Sequence, residues 1–86
     1  MTEEDGKIKI IVLDSTGSNR FPTTISKSLI IERLIEKFKK LLKNDAPFVF
    51  ENKRTNALLN SNDSIENAGV QDGDTLRIRF QGEGGN

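Results

Sequence analysis

Ile31, Leu34, Ile35, Phe38, Leu41 and Leu42 recur at spacings of three and four residues, the strongest local pattern in the chain. At about 3.6 residues per turn, such spacing lays the six side chains along one stripe of an α-helix. That stripe needs a surface to lie on. A chain of 86 residues buries only about 60 to 65% of its unfolded surface and supports a single core, so one core has to serve the whole sequence. Ser28 is placed to accept from the first unpaired N–H groups as an N-cap. Glu32 and Glu36 fall toward the N-terminus of the helix and Lys37, Lys39, Lys40 and Lys43 toward its C-terminus, which suits the helix dipole. Glu36 and Lys40 are spaced as an i, i+4 pair, worth about 0.2 to 0.5 kcal/mol. We read the lysines as a solvated helix face in preference to a site for an acidic partner. Asn44-Asp45-Ala46-Pro47 ends the helix, because proline disfavours helical geometry in the residue before it.

Strand-length segments flank this helix. In Lys7 to Leu13, KIKIIVL, alternation puts Ile8, Ile10 and Val12 on one face and Lys7, Lys9, Ile11 and Leu13 on the other. Turn formers follow from Asp14 to Asn19, among which Gly17 and Asn19 are able to take positive φ at little cost. Arg20 to Ile25 forms a second strand with Phe21, Thr23 and Ile25 on one face. Pro22 lacks an N–H, which assigns this strand to a sheet edge. Beyond the helix, Phe48-Val49-Phe50 reads as a short strand, Glu51 to Arg54 as a polar turn, and Ala57-Leu58-Leu59 as a small apolar contact. Asp63 or Ser64 is placed to cap one helical turn, Ile65 to Ala68, which Gly69 stops. Gln71 to Asp74 turns into a last strand, Thr75 to Phe80, in which Leu76, Ile78 and Phe80 alternate with Arg77 and Arg79.

Composition removes several function classes. Neither cysteine nor histidine is present, which leaves no cysteine nucleophile, no disulfide and no ordinary zinc site, and no other catalytic constellation appears. Thirteen basic and thirteen acidic residues cancel, and there is no tyrosine or tryptophan to stack on bases, so nucleic acid is not an expected partner. No apolar run approaches the ~20 residues of a membrane span. The start, MTEEDGK, is acidic where a signal segment is positively charged. The expectation is a cytoplasmic monomer without bound metal or cofactor.

Two strands, one amphipathic helix, a short strand, one helical turn and a final strand describe an α+β arrangement. With the stretch Asp63 to Leu76, DSIENAGVQDGDTL, the chain resembles ubiquitin-like proteins of the β-grasp fold. The resemblance implies a four-stranded mixed sheet packed on one amphipathic helix. It divides the chain into a disordered arm over 1–6, a ubiquitin-like domain over 7–80 and a flexible tail over 81–86. It marks the fold and not by itself the activity, since domains of this kind include scaffolds that conjugate to nothing.

The chain ends in QGEGGN. In conjugated ubiquitin-like proteins the second of two terminal glycines lies nine residues after the first core leucine of the last strand; here Gly85 lies nine residues after Leu76. The chemistry is consistent with that register. A carboxylate is a poor acyl donor and needs adenylation and transfer to a nucleophile before an amine attacks it. Gly84 and Gly85 allow close backbone approach in a threaded channel, where side chains would obstruct it. The resemblance implies an activating enzyme that uses ATP, a conjugating enzyme, target proteins with free amines, and a peptidase that removes Asn86 and releases conjugates. It is compatible with bacterial modifiers encoded beside such enzymes. Glu83 stands where ubiquitin carries an arginine, which implies a dedicated activating enzyme.

The resemblance further places Leu13, Val49, Arg77 and Arg79 together on the outer face of the sheet, with Ile11 beside them, as a partner surface. Arginines stand there in place of a histidine and a valine of ubiquitin. Lys53 occupies the turn position that matches a chain-linkage lysine. Two other readings stay open. One is a sulfur carrier, with a thiocarboxylate on Gly85; the other is an interaction domain that is not conjugated.

Overall fold

Alternation in the first two segments is realised as an antiparallel pair, β1 (Lys7–Leu13) and β2 (Arg20–Ser26). The computed structural model describes residues 6–81. Pro22 faces Ile11 across the pair. Backbone bonds from Asp14 N to the Asn19 carbonyl and from Lys27 N to the Gly6 carbonyl set the alternation of bonded and non-bonded pairs. Counting from them, Ile11 and Pro22 are a non-hydrogen-bonded pair, so the missing N–H points off the sheet and breaks no ladder bond. β2 lies at the sheet edge, as proline requires.

β3 (Phe48–Asn52) and β5 (Thr75–Phe80) pair antiparallel, and β5 runs parallel to β1. A fifth strand, β4 (Ala57–Leu58), pairs with Glu51 and Asn52. The mixed sheet has the order β2-β1-β5-β3-β4. It therefore has five strands where four were expected, because two residues are too few to show alternation. The polar turn starts later than Glu51: Glu51 and Asn52 continue β3, and the chain turns over 53–56, where Asn56 takes φ 61.

α1 (Ile31–Leu42) buries Ile31, Leu34, Ile35 and Phe38 on one face of the sheet. Leu41 departs from the stripe and is 53% exposed. It lies at the stripe's margin, and Leu42, nearer the centre line, packs on the core instead. The Ser28 cap is also corrected. The N-cap is Ile30 and makes no side-chain bond; the N–H groups of Ile31 and Glu32 donate to the carbonyls of Asp63 and Ser61 at 2.9 and 3.0 Å. The Ser28 hydroxyl lies 2.9 Å from that of Ser26. Lys43, in left-handed geometry at φ 55, closes the C-terminus. Among the described residues the ion pairs are Arg54–Asp74 and Arg79–Glu51, so the expected Glu36–Lys40 pair is not formed.

The five phenylalanines form a chain of edge-on contacts, Phe21–Phe38–Phe50–Phe48–Phe80, with centroids 5.6 to 6.2 Å apart. It joins β2, α1, β3 and β5. Ile65 and Val70 plug the open end of the core from the segment before β5. There Ser64 caps: its hydroxyl accepts from Asn67 N at 3.1 Å, and its carbonyl from Ala68 N at 2.9 Å. Gly69, at φ 82, stops the segment after one turn, too short to count as a helix.

Candidate functional site

The inward residues of β1, β3 and β5 are consumed by the core, which leaves the other face of the sheet open. Strand register decides its layout. Leu13 is beside Arg77 and Ile11 beside Thr75 on the parallel pair. Val49 faces Arg79, and Glu51 faces Arg77, on the antiparallel pair. The proposed surface is thus two clusters with Glu51 between them: Leu13, Ile11 and Arg77 on one side, Val49 and Arg79 on the other.

Both arginines are already engaged. The Arg77 guanidinium donates through Nε and Nη2 to the Ser15 carbonyl at 3.1 and 2.6 Å. Arg79 Nη1 donates to Glu51 Oε1 at 2.7 Å. The Arg77 fork is directed at the loop, whereas Arg79, with its side chain 51% exposed, keeps further donors open to a partner.

Leu58 belongs to this face and was not anticipated there. It faces Glu51 across β3 and β4 and is 63% exposed, while its neighbour Leu59 enters the core and donates its N–H to the Phe50 carbonyl at 2.9 Å. The pair Leu58-Leu59 carried the signal, since consecutive strand residues point to opposite faces. With Val49, Arg79, Phe80 and Gln81, Leu58 lines a depression of about 270 Å³. A second, of about 300 Å³, lies between β1 and β2 and is lined by Lys9, Ile11, Pro22 and Thr24, with Gly73 at its end.

Gln81 N donates to the Pro47 carbonyl at 3.1 Å, which carries the pairing one residue past Phe80. Glu83, Gly84, Gly85 and Asn86 lie outside the described residues, as do residues 1–5 of the expected arm. Lys53 is exposed at the start of the turn, with its N–H held by the Thr75 carbonyl at 2.9 Å.

Electrostatics single out two carboxylates. Asp14 shapes the β1–β2 loop: Oδ2 accepts from Asn19 Nδ2 at 2.6 Å, and Oδ1 from Thr16 Oγ1 at 2.8 Å and Ser18 N at 3.1 Å. The bond from the Asn19 side chain foremost, then those from Thr16 and the Asn19 N–H, hold its pKa down at about 2. Asp74, 5% exposed, accepts from Arg54 Nε at 2.8 Å, Gln71 N at 2.8 Å and Asn52 Nδ2 at 3.0 Å. Arg54 foremost, then Gln71 and Asn52, hold it at about 2. Arg54 Nη2 also donates to the Gly69 carbonyl at 2.9 Å. Among the described residues no group of three or more acidic side chains is placed to hold a metal, and no helix is long and apolar enough to cross a membrane.

No family model matches the sequence, and no curated protein matches it. Solved structures do match. A protein designed on the basis of ubiquitin has a TM-score of 0.76 at 18% identity, covering 94% of this chain and 96% of that one. The ubiquitin of Caldiarchaeum subterraneum has 0.73 at 18% identity, covering 92% and 99%. The ubiquitin-like domain of yeast Ddi1 has 0.72 at 16% identity, covering 88% and 91%. With the observed topology, these likenesses show an α+β fold of the ubiquitin-like β-grasp class.

Proposed function

We propose that this chain, a ubiquitin-like β-grasp protein, is a protein modifier whose precursor is trimmed after Gly85 and joined through the Gly85 carboxylate to amines of target proteins. The observation that carries the reading is the register of the last strand. Leu76 is fully buried at the start of β5, and Gly85 follows it by nine residues, the spacing of conjugated relatives of the fold. The chain is then the acyl group and not the catalyst. An activating enzyme adenylates the Gly85 carboxylate with ATP and takes it as a thioester, and transfer to an amine forms the amide. A peptidase that cleaves after Gly85 frees that carboxylate, with Asn86 on the leaving side of the cut. Glu83 restricts which activating enzyme accepts the tail. The outer face, with Leu13, Val49, Arg79 and Leu58, is the docking surface for these enzymes, and Lys53 is the candidate acceptor for chains. This reading has the protein act as a monomer in the cytoplasm, in a system of the bacterial operon-encoded type.

A second reading has a specific likeness behind it. The ubiquitin-like domain of yeast Ddi1 shares the fold, and a non-conjugated interaction domain would use the outer face and need no diglycine.

The intact mass of the protein recovered from its native host decides between them. Loss of Asn86 together with adducts on other proteins is the expected result. A full-length chain without adducts would overturn the modifier reading and favour the interaction domain. Replacement of one oxygen by sulfur at a Gly85 terminus would make it a sulfur carrier.

A further inference from the structure

Arg77 lies on the outer face of β5, beside Leu13 and opposite Glu51, and would ordinarily be counted as a contact for a partner. Its guanidinium is turned elsewhere. Nε and Nη2 both donate to the carbonyl of Ser15, a residue 62 positions away in sequence. Gly17, at φ 80, passes against the same group: a Cβ at that position would meet the guanidinium carbon at 4.0 Å. A planar fork that places two donors on one oxygen fixes the direction of approach as well as the distance.

The loop from Asp14 to Asn19 has its own internal order. The Asp14 carboxylate accepts from Thr16, Ser18 and Asn19, and the Asp14 carbonyl accepts from Gly17 N at 3.0 Å. All those partners belong to the loop itself. They set its shape and leave its tilt against the sheet open. Among the described residues, the two bonds from Arg77 are the only hydrogen bonds that tie the segment 15–18 to a part of the fold outside the loop.

We propose that Arg77 is a positioning residue of the outer face: it holds the Asp14–Asn19 loop in one orientation beside the end of β5, so that a partner docking beside Leu13 meets the preformed loop and not the guanidinium. The docking consequence rests on the outer face being the partner surface. The positioning does not, and the experiment below reads it without any partner.

Amide hydrogen exchange of the full chain, followed by NMR, tests it in the native protein, Arg77→Ala and Arg77→Lys. Arg77→Ala is expected to speed exchange at Gly17, Ser18 and Asn19 by roughly tenfold or more, as loss of charge-assisted bonds to a local opening unit would, and to lower the Tm by about 5 to 10 °C because unfolding loses the same bonds. In the folded state the amide shifts of Gly17, Ser18 and Asn19 move and those of Ile10 and Phe50 hold. Arg77→Lys keeps the charge and one donor direction and should fall between the two. Unchanged loop exchange in Arg77→Ala would overturn the proposal. Folded-state amide shifts that move at Ile10 and Phe50 as much as in the loop would overturn it too, because Arg77 would then be holding the sheet and not the loop. Neither result bears on whether Gly85 is conjugated, which the intact mass decides.

Discussion

Arg54, in the turn between β3 and β4, and Asp74, just before β5, meet at 2.8 Å, and the carboxylate is buried while the Arg54 side chain is 43% exposed. Asp74 is the hub of the contact, because Asn52 and Gln71 also donate to it. Arg54 extends it to the Gly69 carbonyl and so clasps the turn after β3 to the segment before β5.

Removing the two partners should therefore cost unequal amounts. Asp74→Ala strands the Asn52 amide and the Gln71 N–H and is expected to destabilise by about 2 to 4 kcal/mol. Arg54→Ala removes a partly exposed partner, leaves Asp74 with Asn52 and Gln71 as donors, and should cost clearly less. Urea unfolding of both variants measures the difference, and equal losses would mean that the hub is the ion pair alone.

Acid should act through the same carboxylate. Its folded pKa, about 2, lies below the ordinary 3.8, so between these values the unfolded chain binds more protons and stability falls as pH falls. The contribution is complete above about pH 4 and lost toward pH 2, amounting to about 1 to 2 kcal/mol once screening at the exposed side of Arg54 is allowed for. Asp74→Asn should flatten the stability profile over that window. Asp14 titrates in the same direction, also near 2, and NMR of its carboxyl in Asn19→Ala should show the midpoint move up toward 3.8.

Ser28→Ala should be nearly silent. A lost N-cap typically costs about 1 kcal/mol, but the donors at the start of α1 are met by the carbonyls of Ser61 and Asp63. An effect within about 0.5 kcal/mol is expected in thermal or urea unfolding.

Leu58 and Leu59 should separate cleanly. Leu59→Ala opens the core and is expected to cost about 2 to 4 kcal/mol, whereas Leu58→Ala removes an exposed side chain and should stay within about 0.5 kcal/mol. If Leu58→Ala proved as costly in urea unfolding as Leu59→Ala, Leu58 would be packing for the fold and would no longer count as part of an open face.

Much of this layout was legible because it depends on short-range period. Ile8, Ile10 and Val12 face inward, Phe48 and Phe50 share a face, and Pro22 marks the edge strand. β4 was not legible, since two residues carry no period, and Leu41 was assigned to the core because a spacing rule does not say where the stripe's margin falls. Nor did the residues themselves reveal that Arg77 and Arg79 bond to Ser15 and Glu51. A side chain's hydrogen-bond partner can lie 62 residues away, beyond any local pattern.

The amino-acid sequence by itself determined the alternating strands, the helix and its buried stripe, the Gly69 stop and the distance from Leu76 to Gly85, because each is a property of one continuous segment. Only the tertiary structure decided what caps α1, what satisfies the buried Asp74 and Asn52, and which way the Asp14–Asn19 loop is turned. Each of those rests on a donor and an acceptor brought within about 3 Å by the packing of distant segments, and no order of residues along a chain specifies that distance until the core has closed.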